Sequence, residues 1–127
     1  MAAKVVDASA LAALIFVETE ADEIDGRIAG VELAAPALIG FEIANACRTK
    51  LRRNPDERDV LLTQFLSYLV MPIDICEVDL AATLSLAEQL NLTAYDASYL
   101  WLARELGAEL VTLDRRLARA AALLDQA

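Results

Sequence analysis

Four acidic residues of this 127-residue chain stand in unexpectedly apolar surroundings. Asp7 and Asp114 each come directly after a short run of mainly Val and Leu residues, and Glu42 and Asp96 each lie in a helical pattern of apolar residues. Carboxylate oxygens are the ligands that hard divalent cations such as Mg²⁺ and Mn²⁺ prefer. Such a cation binds and polarises phosphate and activates water for attack on it. The sequence therefore predicts one shared metal site formed by these four carboxylates.

The same four acids also have ordinary structural explanations, which the sequence leaves open. Asp7 and Asp114 precede helical patterns and are suitable helix N-caps, and Thr93 with Asp96 resembles a capping box. Glu42 is harder to explain, because a carboxylate on an apolar helix face is costly to bury without a partner. If the four converge, each pair repels by roughly 4 kcal/mol at a separation of 4 Å. A bound cation or the uptake of protons is then required.

The elements that must position these acids are strands alternating with helices. Strands are predicted at 4–6, 31–35, within 71–78, and at 109–113, and helices at 8–18, 20–29, 37–53, 56–69, 80–90, 94–106 and 115–124. This alternation implies right-handed crossovers and a parallel sheet with helices on both faces. The carboxyl ends of such strands share one edge, where ligands bind, so Asp7 and Asp114 are expected there. The predicted fold class is α/β, with a single domain over residues 1–127.

Composition narrows the chemistry and the setting. Because the chain has no histidine, Ser-His and Cys-His nucleophile pairs and histidine-containing zinc sites are excluded. The net charge of −9 counts mildly against a nucleic-acid partner, which would need a local basic patch. Cys47 and Cys76 lack any metal-ligand spacing and are expected to be free thiols in a reducing cytosol. Without a basic leader or a long apolar run, the sequence predicts a cytoplasmic protein.

The four acidic segments together resemble the PIN-domain ribonucleases, and more specifically the VapC-type toxins of bacterial toxin–antitoxin pairs. The matching segments are Val5-Val6-Asp7-Ala8-Ser9, Glu42-Ile43-Ala44-Asn45, Tyr95-Asp96-Ala97-Ser98-Tyr99-Leu100 and Leu110-Val111-Thr112-Leu113-Asp114-Arg115-Arg116-Leu117. The resemblance implies a PIN-like α/β/α domain and hydrolysis of RNA that depends on Mg²⁺ or Mn²⁺. It assigns the four acids as both catalytic and metal-binding residues. PIN domains commonly continue to a fifth strand, so a sheet of four strands is expected here and a fifth is left open.

Three polar residues near the acids are candidates for orienting the carboxylates or nearby waters. Ser9 and Thr112 stand two residues from Asp7 and Asp114, a spacing that returns to the same side of an extended chain. Asn45 follows Glu42 by about one helical turn. Capping or ordinary hydrogen bonding explains Ser9, Thr112 and Asn45 equally well.

Two groups of basic residues are candidates for RNA or partner contacts. Arg115, Arg116 and Arg119 follow Asp114, and we expect this group, Arg115 and Arg116 above all, to contact RNA phosphates. A second group extends this track or meets a partner, and it consists of Arg48, Lys50, Arg52, Arg53 and Arg58. Favourable interaction with helix dipoles and improved solubility are the simpler explanation for most of them.

The family resemblance also implies partners. VapC-type proteins form homodimers and are silenced by a cognate VapB-type antitoxin, whose tail covers the active-site edge. The chain carries an apolar stripe that suits either core packing or a dimer surface, formed by Leu11, Leu14 and Ile15 with Tyr99 and Trp101.

The leading interpretation is an endoribonuclease toxin that leaves 5′-phosphate and 3′-hydroxyl ends. A metal-dependent phosphatase would normally have a D-x-D nucleophile motif, whereas Asp7 is followed by Ala8 and Ser9. The non-enzymatic alternative is a non-cutting PIN-like or receiver-like binding module that uses the acidic pocket for regulation. A receiver would place a lysine near the end of a late strand, and residues 110–114 contain none. Metal-dependent cleavage of RNA separates these interpretations.

Overall fold

Strands and helices alternate along the chain in the computed structural model, which describes residues 3–125. The elements are, in chain order, β1 (Lys4–Val6), α1 (Ala8–Ile15), α2 (Ala21–Ile28), β2 (Leu33–Pro36), α3 (Leu38–Arg53), α4 (Arg58–Leu69), β3 (Ile73–Cys76), α5 (Leu80–Leu90), α6 (Ala94–Leu106), β4 (Glu109–Val111) and α7 (Arg115–Asp125). A short 3₁₀ turn at Pro55–Glu57 precedes α4. The predicted order of strands and helices is confirmed.

The strands form one parallel sheet in the order β3-β2-β1-β4. Val5 of β1 pairs with Ala34 of β2 on one side and with Leu110 of β4 on the other. The chain adds β2 and β3 outward from β1 and then returns to place β4 on the opposite side of β1. The crevice at such a reversal of strand order is where open α/β sheets bind ligands. The predicted α/β class is confirmed, with four strands in the sheet that residues 3–125 form.

The helices pack in two groups around this sheet. Helix α1 contacts α2, α3 and α4, whereas α6 contacts α5 and α7 and also lies against β1, β2 and β4. Val5 and Val6 are fully buried, as a strand covered on both faces requires. The apolar run that begins the chain therefore fixes β1 in the centre of the fold.

Helix α1 ends at Ile15, earlier than the predicted end at Glu18. Val17 adopts the left-handed backbone conformation, with φ at 52°. The Glu18 N–H donates to the Ala13 carbonyl (2.8 Å) and the Val17 N–H to the Leu14 carbonyl (3.4 Å), which is the Schellman pattern of a helix end. Glycine usually occupies the left-handed position, so a valine there gave the sequence no stop signal.

Most of the apolar stripe belongs to the core. Leu11, Ile15 and Tyr99 are buried, while Leu14 and Trp101 are half-buried. Core packing therefore accounts for most of this surface, and the stripe gives little support to a dimer.

Cys47 and Cys76 are both free thiols. Within residues 3–125, no helix is long and apolar enough to cross a membrane.

Candidate active site

Asp7 lies at the carboxyl end of β1, at the switch point of the sheet. Its backbone N–H donates to the Val111 carbonyl of β4 (3.1 Å), and its side chain caps α1. Asp7 is only 5 % exposed. Oδ1 accepts from the Ser9 hydroxyl (2.7 Å) and the Ala10 N–H (3.0 Å), and Oδ2 accepts from the Thr112 hydroxyl (2.5 Å). Since a carboxylate oxygen has two lone pairs, Oδ2 keeps one for a ligand.

Two hydroxyls join the ends of β1 and β4 around this carboxylate. Thr112 Oγ1 accepts from the Asp114 N–H (3.0 Å), and Ser9 Oγ accepts from the Leu113 N–H (2.9 Å). Both hydroxyls thus accept from the backbone after β4 while they donate to Asp7. Asp114 is exposed, and its Oδ1 accepts from the Leu117 N–H (3.0 Å) as the cap of α7. Asp7 and Asp114 therefore do have the capping roles, and the same contacts fix both carboxylates at one edge.

Replacing Thr112 by valine should lower the free energy of unfolding by about 1–3 kcal/mol, because a buried carboxylate loses a donor. Urea unfolding measures this change, and Thr112→Ser should recover most of it because serine keeps the hydroxyl. Thr19→Val provides the control at an exposed position. Equal stability of the Thr112→Val and Thr19→Val proteins would show that the hydroxyl network contributes little.

Glu42 lies in the second turn of α3 and faces the crevice. Its face includes Ile39, which is fully buried, so the predicted inward orientation is observed. Glu42 Oε1 accepts a hydrogen bond of 2.5 Å from the Tyr99 hydroxyl, and Tyr99 is only 1 % exposed. The adjacent Phe41 is 83 % exposed, because consecutive helix residues point about 100° apart and the face that carries Glu42 is turned inward.

The contact of Tyr99 with Glu42 was not predicted from the sequence, where Tyr99 was given a role only in the apolar stripe. A signal was present, because Tyr99 follows Asp96 by three residues on α6 and therefore shares its helix face. The burial of Tyr99 and its hydrogen bond to Glu42 both raise the pKa of its hydroxyl far above the usual range. The phenol therefore stays protonated and acts as a donor.

Asp96 lies in the first turn of α6. Thr93 caps this helix, and its Oγ1 accepts from the Asp96 N–H (3.1 Å). Burial and the neighbouring Asp114 and Asp7 raise the pKa of Asp96, and the Arg116 guanidinium, which donates to the Asn91 carbonyl, opposes part of this rise. Arg116 thus offsets part of the negative charge at this edge.

Electrostatics connects all four acids. Burial is the largest cause that raises the pKa values of Asp7, Glu42 and Asp96, and neighbouring carboxylates raise them further. Asp114 acts on Asp7 and Asp96, while Asp7 and Asp96 both act on Glu42. In the part of the chain that the structure describes, however, no three acidic or cysteine side chains stand close enough to hold one metal ion. The four carboxylates therefore share one edge and one electrostatic field without forming a closed set of ligands.

The other predicted residues lie farther from the carboxylates. Asn45 is exposed on α3, and none of the hydrogen bonds found within residues 3–125 involves its side chain. Arg115 is exposed at the start of α7, beside Asp114. The orienting role of Asn45 and the RNA contacts of Arg115 and Arg116 stay predictions.

Known proteins share both the sequence pattern and the fold. A model of the PIN domain matches residues 4–123. The chain belongs to the PIN-domain family. It is 33 % identical over 119 residues to Ribonuclease VapC3 of Pyrobaculum aerophilum, covering 90 % of this chain and 91 % of that protein. Its fold is similar to the crystal structure of PAE2754 from the same organism, with a TM-score of 0.75 and 28 % identity over 98 % of this chain and 93 % of that one. The family resemblance and the PIN-like fold are thus confirmed.

Proposed function

We propose that this PIN-domain protein is a metal-dependent endoribonuclease and the toxin of a type II toxin–antitoxin pair. The observation that carries the proposal is the position of Asp7, Glu42, Asp96 and Asp114 at one edge of the sheet, where burial and then neighbouring carboxylates raise the pKa values of Asp7, Glu42 and Asp96. Similarity to a protein named as a ribonuclease over nearly the whole chain supports RNA as the substrate.

The donor chemistry of this edge fits a hard divalent cation. Carboxylate oxygens that repel one another lower their energy when Mg²⁺ or Mn²⁺ binds between them. Asp7, Glu42, Asp96 and Asp114 are the residues that would hold it. A bound ion of this kind supplies Lewis-acid chemistry, which offsets phosphate charge and makes water a stronger nucleophile.

The chain's own residues hold this site in place. The hydroxyls of Ser9 and Thr112 fix both oxygens of Asp7, and Tyr99 fixes Glu42. Arg116 reduces the negative charge beside Asp96, and the exposed Arg115 would meet an RNA phosphate. These residues orient carboxylates and attract a polyanion to an otherwise acidic protein. We expect cleavage to leave 5′-phosphate and 3′-hydroxyl ends.

The proposed biological setting follows from the VapC-type relative. A VapB-type antitoxin would silence the protein, and a basic antitoxin side chain suits the acidic edge. We further propose a cytoplasmic homodimer consisting of one PIN domain per chain. A clean monomer in light scattering at micromolar concentration would count against the dimer.

Binding of Mn²⁺ should stabilise the protein. In the metal-free chain the pKa values of Asp7, Glu42 and Asp96 are raised. Folded protein therefore binds more protons than unfolded protein between the ordinary and the raised pKa values, and its stability falls as pH rises through that window. A cation at neutral pH removes this penalty, and at a hundred times its Kd it adds about 2.7 kcal/mol.

A thermal-unfolding series with Mn²⁺ and with EDTA measures this effect. Mn²⁺ should raise the melting temperature of Asp7→Asn much less than that of the natural protein. It should raise the melting temperature of Asp22→Asn, on the exposed face of α2, by the same amount as in the natural protein. A melting temperature that Mn²⁺ leaves unchanged would argue that this edge does not hold the ion.

The proposed activity itself is tested by incubating total RNA with the purified protein in Mn²⁺, in Mg²⁺ and in EDTA. Discrete fragments that depend on the ion and carry 5′-phosphates are expected. A protein that binds Mn²⁺ and RNA but leaves every RNA intact would instead be the non-cutting PIN-like module.

A further inference from the structure

Phe41 and Tyr95 place exposed aromatic surface beside the candidate active site. Phe41 is 83 % exposed and Tyr95 is 66 % exposed. The chain has seven aromatic residues, all of them within the described range, and the other five are buried or half-buried, namely Phe16, Phe65, Tyr68, Tyr99 and Trp101. Exposed apolar surface that collects at one place marks a site of interaction more often than scattered apolar residues do.

Both aromatic residues directly precede a carboxylate of the acidic edge. Phe41 stands before Glu42 on α3, and Tyr95 stands before Asp96 on α6. Because neighbouring helix positions differ by about 100°, the aromatic side chains lie on the rim when the acids face the crevice. Phe41, Tyr95, Glu42 and Leu38 together line one open cavity of about 390 Å³. A catalytic carboxylate and two aromatic rings thus share a cavity.

The two rings do not stack on each other. Within residues 3–125 the packed aromatic pair is Phe65 with Tyr68, at 6.1 Å between ring centroids. The faces of Phe41 and Tyr95 are therefore open to a planar ligand. The net charge of −9 means that phosphate contacts alone bind RNA weakly here. A contact that does not depend on charge is needed, and stacking on an aromatic ring provides one.

We propose that Phe41 and Tyr95 are a stacking site for an unpaired nucleobase of the RNA, adjacent to the phosphate that is cut. The inference rests on the proposed ribonuclease function and specifies its substrate. A base can stack on a side chain only when it is free of its own helix, so this site favours single-stranded RNA over a duplex. Because every base has a π-face, the contact tolerates different sequences.

The test measures binding of short fluorescent oligoadenylate, of an abasic oligonucleotide of equal length, and of a duplex. All proteins carry Asp7→Asn so that the probe is not cut. Phe41→Ala and Tyr95→Ala are compared with Val70→Ala, because Val70 is also 83 % exposed but lies between α4 and β3, at the opposite edge of the sheet. Arg115→Ala provides the comparison for a charge contact.

Each aromatic substitution should weaken oligoadenylate binding about tenfold, within the range that loss of one stacked base gives. In the aromatic variants, the affinity for the abasic probe and the salt dependence of binding should change little. Arg115→Ala, in contrast, should flatten the salt dependence of binding. Oligoadenylate affinity equal to that of Val70→Ala would overturn the stacking site. If the aromatic variants bind oligoadenylate normally and the natural protein cuts RNA, only the stacking inference fails. A natural protein that neither binds nor cuts RNA refutes the proposed function as well.

Discussion

Asp7→Asn is expected to reduce RNA cleavage on the order of a thousandfold, because the site loses its most buried carboxylate. The amide oxygen can still accept from the Ser9 hydroxyl and the Ala10 N–H, so the cap of α1 is kept. What disappears is the negative charge and both acceptor lone pairs of Oδ2, including the one that binds the Thr112 hydroxyl. Because the helix cap is kept, the variant is expected to fold with reduced stability while it loses metal binding.

Cleavage of total RNA with Mn²⁺, followed on gels, measures this loss. Urea unfolding of the metal-free proteins should show that Asp7→Asn is folded, and Asp22→Asn should cleave as the natural protein does. Cleavage that survives Asp7→Asn would mean either a contaminating nuclease or a site elsewhere in the chain.

Tyr99→Phe is expected to lower Mn²⁺ affinity ten- to a hundredfold, as loss of a group that orients a metal ligand does. The Tyr99 hydroxyl holds Glu42 Oε1 at 2.5 Å from a buried position on α6. Phenylalanine keeps the ring in the core and removes only this donor. Glu42 then turns more freely, and the ion loses an oriented ligand.

Calorimetric titration with Mn²⁺ and the dependence of cleavage on Mn²⁺ concentration both report this effect. A positioning role predicts that a high Mn²⁺ concentration recovers much of the cleavage rate. Tyr68→Phe is the matched control, because Tyr68 is half-buried and packs beside Phe65. An Mn²⁺ affinity as strong in Tyr99→Phe as in Tyr68→Phe would remove Tyr99 from the site.

Features that depend on neighbours along the chain could be predicted from the sequence. Asp7 and Asp114 follow β1 and β4 directly, so the shared edge of a parallel sheet brought them together once the alternation of strands and helices was recognised. The caps Asp79 and Thr93 are also local, because each side chain bonds to a backbone N–H three residues later. The end of α1 was misjudged because Val17 takes a backbone conformation that glycine normally adopts.

Features that depend on distant segments required the tertiary structure. Strand order is one, since nothing near β4 in the sequence says that it pairs with β1. The contact of Tyr99 with Glu42 joins residues 57 positions apart, and the contact of Thr112 with Asp7 joins residues 105 positions apart. The exposure of Phe41 is a third case, because the rotation of α3 against the sheet buries Ile39 and Ile43 and leaves Phe41 in solvent.

The sequence alone thus determined the α/β class and the edge at which Asp7 and Asp114 lie, and it singled out the four acids as candidates, because periodicity and strand ends are local properties. Only the tertiary structure decided which hydroxyls fix those acids and which aromatic rings surround them. Side-chain contacts of this kind depend on how helices pack across the sheet, and a linear pattern does not encode that packing at the level of single residues.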